Sequence, residues 1–347
     1  MARFRAAILG CGGRGRAHAA GYAAAPNAEI VACADPVAEN ARSLADRYHV
    51  PRTYADYRVL LKEQQPGVVS ICTWPHLHRE MVEAAVAAGV KAIHCEKPMA
   101  PTFGDAKAMH QAGEKAGVVM TICHQRRFAP SFRKARELIH NGAIGELARM
   151  EGFCSNLFDW GTHWFDMFHF FNEERPAAWV MGQIDVSAPR QVFGVPVETS
   201  GVSHIAWEND VWGLLVTGHP PQTPRLSKLV EREGMVIHGT EGRLEVAVLN
   251  GPRLRLRRFG KHEDEVPALA QTEDATVLSV LDLLECVETG REPELSSRKA
   301  LRATELIFAT YESSRRRGRV ALPLEIEDSP LITGLDQGLW QLQRGAL

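Results

Sequence analysis

The sequence predicts an α/β protein of two domains. A doubly wound parallel sheet comes first, then an α+β domain built around a large, mostly antiparallel, open-faced sheet. Three observations predict this. The chain opens with an apolar run and a glycine-rich turn, Ala6-Ala7-Ile8-Leu9-Gly10-Cys11-Gly12-Gly13-Arg14-Gly15. Strand and helix patterns alternate through the first third, which implies a parallel sheet covered on both faces. After His124, strands succeed one another with helices at the margins, as in an α+β unit. The length of 347 residues suits two cores better than one. The expected extents are 1–123, 124–325 and a tail over 326–347.

Taken in order, the strand over 6–9 feeds Gly10, Gly12 and Gly15. An alanine-rich helical stretch runs to Ala25, and a second apolar strand over 30–34 ends at Asp35. Strand, glycine turn, helix, strand and acid is the order of a dinucleotide site. Gly10 permits the tight turn, Gly12 lets backbone approach a pyrophosphate, and Gly15 lets the helix pack closely on its strand. The helix N-terminus offers unpaired N–H donors and positive dipole to phosphates. Asp35 accepts hydrogen bonds from a ribose 2′-hydroxyl and repels a 2′-phosphate, so NAD is expected in preference to NADP.

A helical segment to Arg47 follows, then a strand over 68–73, a helix over 79–88 and a strand over 91–95. Thr102-Phe103-Gly104-Asp105 reads as a capping box opening a helix to Ala116, and 118–123 is the last strand of the alternation. Right-handed crossovers put the strand ends on one edge, where ligands bind at the switch point. Cys95-Glu96-Lys97-Pro98 ends one of these strands, so Lys97 is expected in the cleft beside a nicotinamide, on a turn fixed by Pro98.

In the second domain a basic helical stretch over 130–140 closes at Asn141-Gly142. A strand pattern over 146–158 and an aromatic helix over 160–171 come next. Strand-like runs over 178–186, 211–217, 226–238 and 253–258 precede two amphipathic helical patterns, 275–289 and 297–316. Asp159-Trp160-Gly161-Thr162-His163 places a carboxylate and an imidazole at i and i+4, on one face of a helix start. With Lys97 they make a proton-transfer set for a hydroxyl whose carbon loses hydride: His163 as base, Asp159 as its companion, Lys97 as a second proton handler.

Composition excludes several classes. A net charge of −2 gives no basic footprint for nucleic acid, and no apolar stretch approaches the ~18 residues needed to span a bilayer. The apolar run before Cys11 is too short for a signal segment. Seven cysteines (Cys11, Cys33, Cys72, Cys95, Cys123, Cys154 and Cys286) are odd in number, widely spaced and without a C-x-x-C pair. They read as reduced thiols of a cytoplasmic protein. His76-x-His78 and the pair His163 and His169 lack a third ligand, so no metal site is expected.

Gly10-Cys11-Gly12-Gly13-Arg14-Gly15, Glu96-Lys97-Pro98 and Asp159-x-x-x-His163 together resemble the Gfo/Idh/MocA oxidoreductase family in order and separation. Thr73-Trp74-Pro75-His76-Leu77-His78, Gly142-Ala143-Ile144-Gly145, Gly239-Thr240-Glu241-Gly242 and Tyr311-Glu312-Ser313-Ser314 extend the resemblance over about residues 4 to 323. It implies an N-terminal Rossmann domain, a C-terminal open-faced sheet mediating dimers or tetramers, and NAD(P)-dependent oxidoreduction of a secondary hydroxyl on a sugar, sugar derivative or inositol-type polyol. It further implies cofactor contacts from Gly10, Gly12, Gly13, Arg14, Gly15, Asp35, Thr73, Trp74, His78, Glu96 and Lys97. Substrate contacts are implied from Lys97, His124, Arg126, Arg127, Asp159, Trp160 and His163, with Lys97, Asp159 and His163 catalytic.

Two departures from the family pattern stand out. Trp74 sits where many relatives carry a smaller residue, and Arg126 is a surplus cation beside Arg127, read either as a solvated or phosphate-facing arginine or as a partner for an acidic sugar such as a uronate. Trp160 is placed to pack on a sugar ring. Phe158, Trp164, Phe165, Phe168, Phe170, Phe171 and Phe153 are expected in the core. Three activities stay open: a dehydrogenase releasing NADH, a redox-neutral lyase or glycosidase that oxidises transiently, and an NAD(P)-sensing regulator. In the tail, Leu331, Ile332, Leu335, Leu339, Trp340 and Leu342 are expected to pack on the protein's own sheet or on a neighbouring subunit.

Overall fold

A computed structural model describes residues 4–218, 234–247, 253–267 and 273–340. Two units emerge, Met1–Phe128 with Thr272–Leu301, and Ala129–Gln271 with Arg302–Leu347. The boundary expected from the sequence was between residues 123 and 124. The second boundary was not foreseen: a segment expected in the C-terminal domain returns to the first.

In the first unit β1 (Phe4–Leu9), β2 (Ala28–Ala34), β3 (Thr53–Tyr54), β4 (Val68–Ile71), β5 (Ala92–Cys95) and β6 (Val119–Ile122) form one sheet in the order β3-β2-β1-β4-β5-β6. All its pairs are parallel. Strand order therefore reverses between β1 and β4, the switch point at which this architecture opens a crevice. One face buries Leu9, Val69, Ile71 and Ile93 under α3 (Tyr57–Gln64), α4 (Pro75–Ala87) and α5 (Phe103–Ala116). The other buries Ala6, Ile8, Cys33 and Val68 under α1 (Gly13–Ala24) and α2 (Ala38–Tyr48). The Thr102 hydroxyl accepts the Asp105 N–H at 3.1 Å, the expected cap of α5. Missing from the sequence reading were β3, which is two residues long, and α3, whose signal is the Asp56 side chain capping Arg58 N–H.

Helix α8 (Ala275–Thr289) completes the second face, with Val280, Leu283 and Leu284 in the same core as α1. A Cβ on Gly21 of α1 would lie 2.6 Å from Val280 Cβ. The missing side chain thus sets how closely the two helices approach, which no local pattern in α8 reveals. Helix α9 (Ser297–Arg316) contains the boundary at Leu301.

The second unit is a mixed sheet of nine strands among the described residues, ordered β16-β15-β14-β13-β7-β12-β11-β8-β17. Its members are β7 (Leu147–Cys154), β8 (Ala177–Asp185), β11 (Ser200–Trp207), β12 (Trp212–Gly218), β13 (Gly234–Gly239), β14 (Gly242–Ala247), β15 (Arg253–Arg258), β16 (Glu263–Val266) and β17 (Val320–Ala321). β9 (Gln191–Val192) and β10 (Val195–Pro196) pair as a separate hairpin. Only β7 and β12 pair in parallel, because the chain leaves β7 through a helix before returning. Of the strand expected over 226–238, residues 226–233 lie outside the described residues.

Alternation separates the two faces of this sheet. Met150, Val180, Ile205, Leu215, Ile237 and Leu244 are buried, whereas Met181, Val202 and Trp212 are 38–50% exposed. Helix α7 (Thr162–Phe171) lies on the buried face: a Cβ on Gly152 of β7 would meet Phe168 and Trp164 at 3.5 Å. Phe158, Trp164, Phe165, Phe168, Phe170 and Phe171 are core as expected, while Phe153 points to the open face and is only half-buried.

The tail is described through Trp340. Helix α10 (Pro330–Asp336) buries Leu331 completely, and its Ile332 packs on Phe158, Val195 and Val197 of the same unit. Leu335 and Leu339 remain exposed, and Leu342 lies outside the described residues.

Because Gly21 and Val280 are in contact, Gly21→Leu should destabilise the first unit by about 1–3 kcal/mol, the usual cost of overpacking. Adding Val280→Ala should recover part of that loss in melting temperature. Strict additivity of the two substitutions would show that α8 does not pack on α1.

Candidate active site

The first unit gathers its functional side chains at the C-terminal edge of the sheet. Gly10 follows β1 with φ of +90°, and a Cβ there would sit 2.6 Å from the Cys72 carbonyl oxygen. A Cβ on Gly15 would sit 2.0 Å from the Gly10 carbonyl oxygen. At Gly12 and Gly13 a Cβ would meet nothing within 4 Å. These last two glycines therefore leave an open cradle, and α1 begins there with no side-chain cap and no acidic residue in its first turn. Uncapped N–H groups above open space fit a pyrophosphate.

Asp35, 8% exposed, borders the cradle from the end of β2. Its carboxylate accepts the Cys11 N–H at 2.8 Å and the Val37 N–H at 2.9 Å. Asp35 thus pins the glycine turn to β2. Trp74, 56% exposed, and partly buried Thr73 follow β4 at the same edge.

Beyond β5 comes Glu96, 3% exposed, and then half-buried Lys97, joined to Pro98 by a cis peptide. Arg14 Nε donates to Glu96 Oε1 at 2.7 Å, and His18 Nε2 lies 2.8 Å from the same oxygen. Burial alone would push the Glu96 carboxyl up; His18 and Arg14 outweigh it and hold the group well below the usual carboxylate range. From His18 the network continues through Ser70 Oγ at 3.1 Å to the Tyr22 hydroxyl, 2.9 Å further.

His94 stacks on His18 with ring centroids 4.5 Å apart. Its nitrogens lie 2.7 Å from Thr121 Oγ1 and 3.0 Å from Ser279 Oγ. Burial, with the neighbouring His18, drives its imidazole well below the ordinary histidine range. His18, His94 and Cys123 bring potential metal-ligating atoms within 4.8 Å of one another. Both imidazoles have spent both nitrogens on hydrogen bonds, which accounts for the cluster as a polar network.

In the second unit, Asp159 and His163 lie where an irregular helix meets a regular one. Residues Leu157–Gly161 form a π turn, closed by the Gly161 N–H on the Asn156 carbonyl at 2.8 Å, and α7 starts at Thr162. The Asn156 side chain accepts the Asp159 N–H at 2.7 Å. Asp159 is 9% exposed and His163 3%. The sequence placed the pair on one regular helix; the wider π turn, a feature frequent at functional sites, was not legible from spacing. Trp160 is partly exposed between them.

Two of the expected contact residues already have protein partners. His78 is fully buried, its Nδ1 3.1 Å from the Met99 carbonyl and its Nε2 3.2 Å from the Thr73 carbonyl. It links the turn after β4 to the turn after Lys97. Arg127 is 1% exposed and its Nη1 donates to Glu294 at 3.2 Å, so its charge is already met inside the first unit. Arg126 is partly buried and His124 is 2% exposed. Glu96, expected at the cofactor, directs Oε1 to Arg14 and His18. The sequence reading passed over His18, Ser70 and His94. Their signal is polarity inside apolar elements, which names no partner.

Comparison with known proteins places residues 4–124 on the family model described as oxidoreductase family, NAD-binding Rossmann fold (Gfo/Idh/MocA). The D-apiose dehydrogenase of Paraburkholderia graminis is 29% identical, with 97% of this chain and 94% of that protein aligned. The levoglucosan dehydrogenase of Pseudarthrobacter phenanthrenivorans is 33% identical over 47% of this chain and 43% of its own. Among solved structures, a levoglucosan dehydrogenase complex with NADH and levoglucosan matches with a TM-score of 0.79 and 22% identity, covering 93% of this chain and all of that one. At that identity the likeness speaks for the fold.

Replacing Asp35 with Ala should weaken NAD binding roughly tenfold to a hundredfold, the range for hydrogen bonds to a charged group. NADP binding should fall less or improve, as titration of both nucleotides would show. Tighter binding of NADP than NAD by the unmodified protein would sink the assignment.

Proposed function

We propose, from the match of residues 4–124 to the Gfo/Idh/MocA family model, that this protein is an NAD-dependent dehydrogenase. It would act on a secondary hydroxyl of a sugar, sugar derivative or inositol-type polyol. The observation that carries the reading is the open cradle over Gly12 and Gly13 at an uncapped helix start, with Asp35 beside it and Lys97 on the same sheet edge. The sugar class rests on what the relatives are named for: D-apiose and levoglucosan dehydrogenases.

The α1 N–H groups would hold the pyrophosphate and Asp35 the ribose hydroxyls. Bound there, the nicotinamide supplies the acceptor for hydride. His163 takes the hydroxyl proton, because an imidazole titrates near neutrality and needs no large shift to act as a base. Lys97 polarises the substrate oxygen and helps place it. Asp159 orients His163 or grips a neighbouring hydroxyl. Trp160 offers an aromatic face to the sugar ring, and Arg126 a cation for an acidic one.

His163→Asn and Lys97→Ala should each lower turnover by on the order of 10²- to 10⁴-fold, the usual contribution of positioned acid–base groups, with NAD affinity nearly unchanged. Incubating the protein with NAD⁺ and a panel of polyols, sugars and glycosides should yield net NADH. Cleaved product without net NADH would instead mean a lyase or hydrolase. Tight NAD binding with neither product would mean a sensor. Near-normal turnover in both variants on a genuine substrate removes the mechanism.

The same reading includes a homo-oligomer formed through the open face of the second unit's sheet. On that face Trp179, His204 and Trp212 pack ring against ring, beside exposed Met181 and Val202. Contiguous exposed apolar groups of this kind mark association surfaces. Met181→Glu with Trp212→Glu should reduce the sedimenting species to a smaller one without loss of fold. An unchanged oligomer would move the interface elsewhere.

A further inference from the structure

Glu198 is fully buried, immediately ahead of β11, and no part of the chemistry proposed above uses it. Its Oε1 accepts the Leu157 N–H at 2.6 Å and the Thr217 hydroxyl at 2.8 Å. Its Oε2 accepts the Tyr311 hydroxyl at 2.7 Å. Three donors from the π turn, β12 and α9 thus converge on one carboxylate, and all three are neutral. We propose that Glu198 is a positioning residue for the catalytic turn: by holding the Leu157 N–H it fixes the Leu157–Gly161 turn, and hence the spacing of Asp159 and His163. The inference rests on those two residues being catalytic.

Several observations support a role beyond packing. Burial pushes the Glu198 carboxyl above its ordinary value, and the hydrogen bonds from Tyr311, Thr217 and Leu157 oppose that shift. A buried carboxylate without a cation is costly to keep, so the three donors must converge on it closely, and they fix the segments that carry them. Leu157 is also the first residue of the helical run, where free N–H groups point outward and negative charge is favoured. The Asn156 side chain caps Asp159 N–H in the same turn. Glu198 and Asn156 therefore hold the two N–H groups on either side of Phe158.

The test compares Glu198→Met, which keeps length and removes the acceptor, with Glu198→Gln, which keeps an acceptor oxygen, and runs His163→Asn beside them in the full-length protein. Glu198→Met should lower kcat by on the order of 10- to 100-fold, as expected when reacting groups shift by about 1 Å. NAD affinity should stay within about twofold, because the nucleotide groups lie in the other unit, and KM for the sugar should change less than kcat. Glu198→Gln should recover most of the turnover. A folded Glu198→Met protein with normal kcat overturns the proposal, as does equal loss in the Met and Gln variants. If Glu198→Met does not fold, hydrogen exchange of the Leu157 amide decides: slow exchange in the active wild-type and Gln proteins supports the proposal, and free exchange overturns it. Normal turnover in His163→Asn would bring down the active-site reading itself, whereas an inactive His163→Asn beside an active Glu198→Met removes only the role of Glu198.

Discussion

A carboxylate as buried as that of Glu96 is tolerated only where its charge is met. The way it is met ties the first unit's working parts together. Arg14 reaches it from the first turn of α1, directly behind the glycine cradle, and His18 reaches it one turn further along. Glu96 itself immediately precedes Lys97. The phosphate cradle and the lysine turn are thus joined through a single charge, and neither can shift without leaving that charge partly uncovered. His78 adds a second tie by bridging the turn after β4 to Met99. Asp35 adds a third by holding Cys11.

The second unit meets the same physical problem differently. Glu198 is buried as deeply as Glu96, but its oxygens are met by an N–H and two hydroxyls, without a cation. Arg190 lies close by, yet its Nη1 donates to the carbonyls of Ser155, Glu198 and Thr199. The bonds on Glu198, at 2.6–2.8 Å, are short, as hydrogen bonds to a carboxylate are. The contrast between the two carboxylates is one of charge: Arg14 and His18 bring ionisable groups to Glu96, whereas Glu198 is met by a backbone N–H and two hydroxyls.

The first unit was largely legible because its signals are local. Gly10 and Gly15 are demanded by a positive φ and a close backbone approach within six residues of each other, and the sequence displays both directly. Thr102 caps α5 from three residues away. What stayed hidden depends on partners remote in sequence. Gly21 matters because Val280 packs on it, and the Arg127 charge is met by Glu294. The Tyr311-Glu312-Ser313-Ser314 segment shows this well. Tyr311 donates to Glu198, Glu312 pairs with Arg315 and Arg316, Ser313 accepts the Gly182 N–H and Ser314 the Ile184 N–H. The motif could be recognised, but none of these jobs could be assigned before the edge of β8 lay beside it.

Burial separates residues that must be what they are from residues free to differ. His18, Glu96, Asn156, His163 and Glu198 are each no more than 3% exposed, so a change at any of them disturbs packing and hydrogen bonding together. Trp74 is 56% exposed, and Trp160 and Arg126 are only partly buried. On the proposed function, those positions would set what the protein accepts, while the buried set would carry the proton transfer. The buried residues are constrained by packing and hydrogen bonding whatever the substrate. The proposed chemistry is therefore easier to infer from the chain than the substrate's identity.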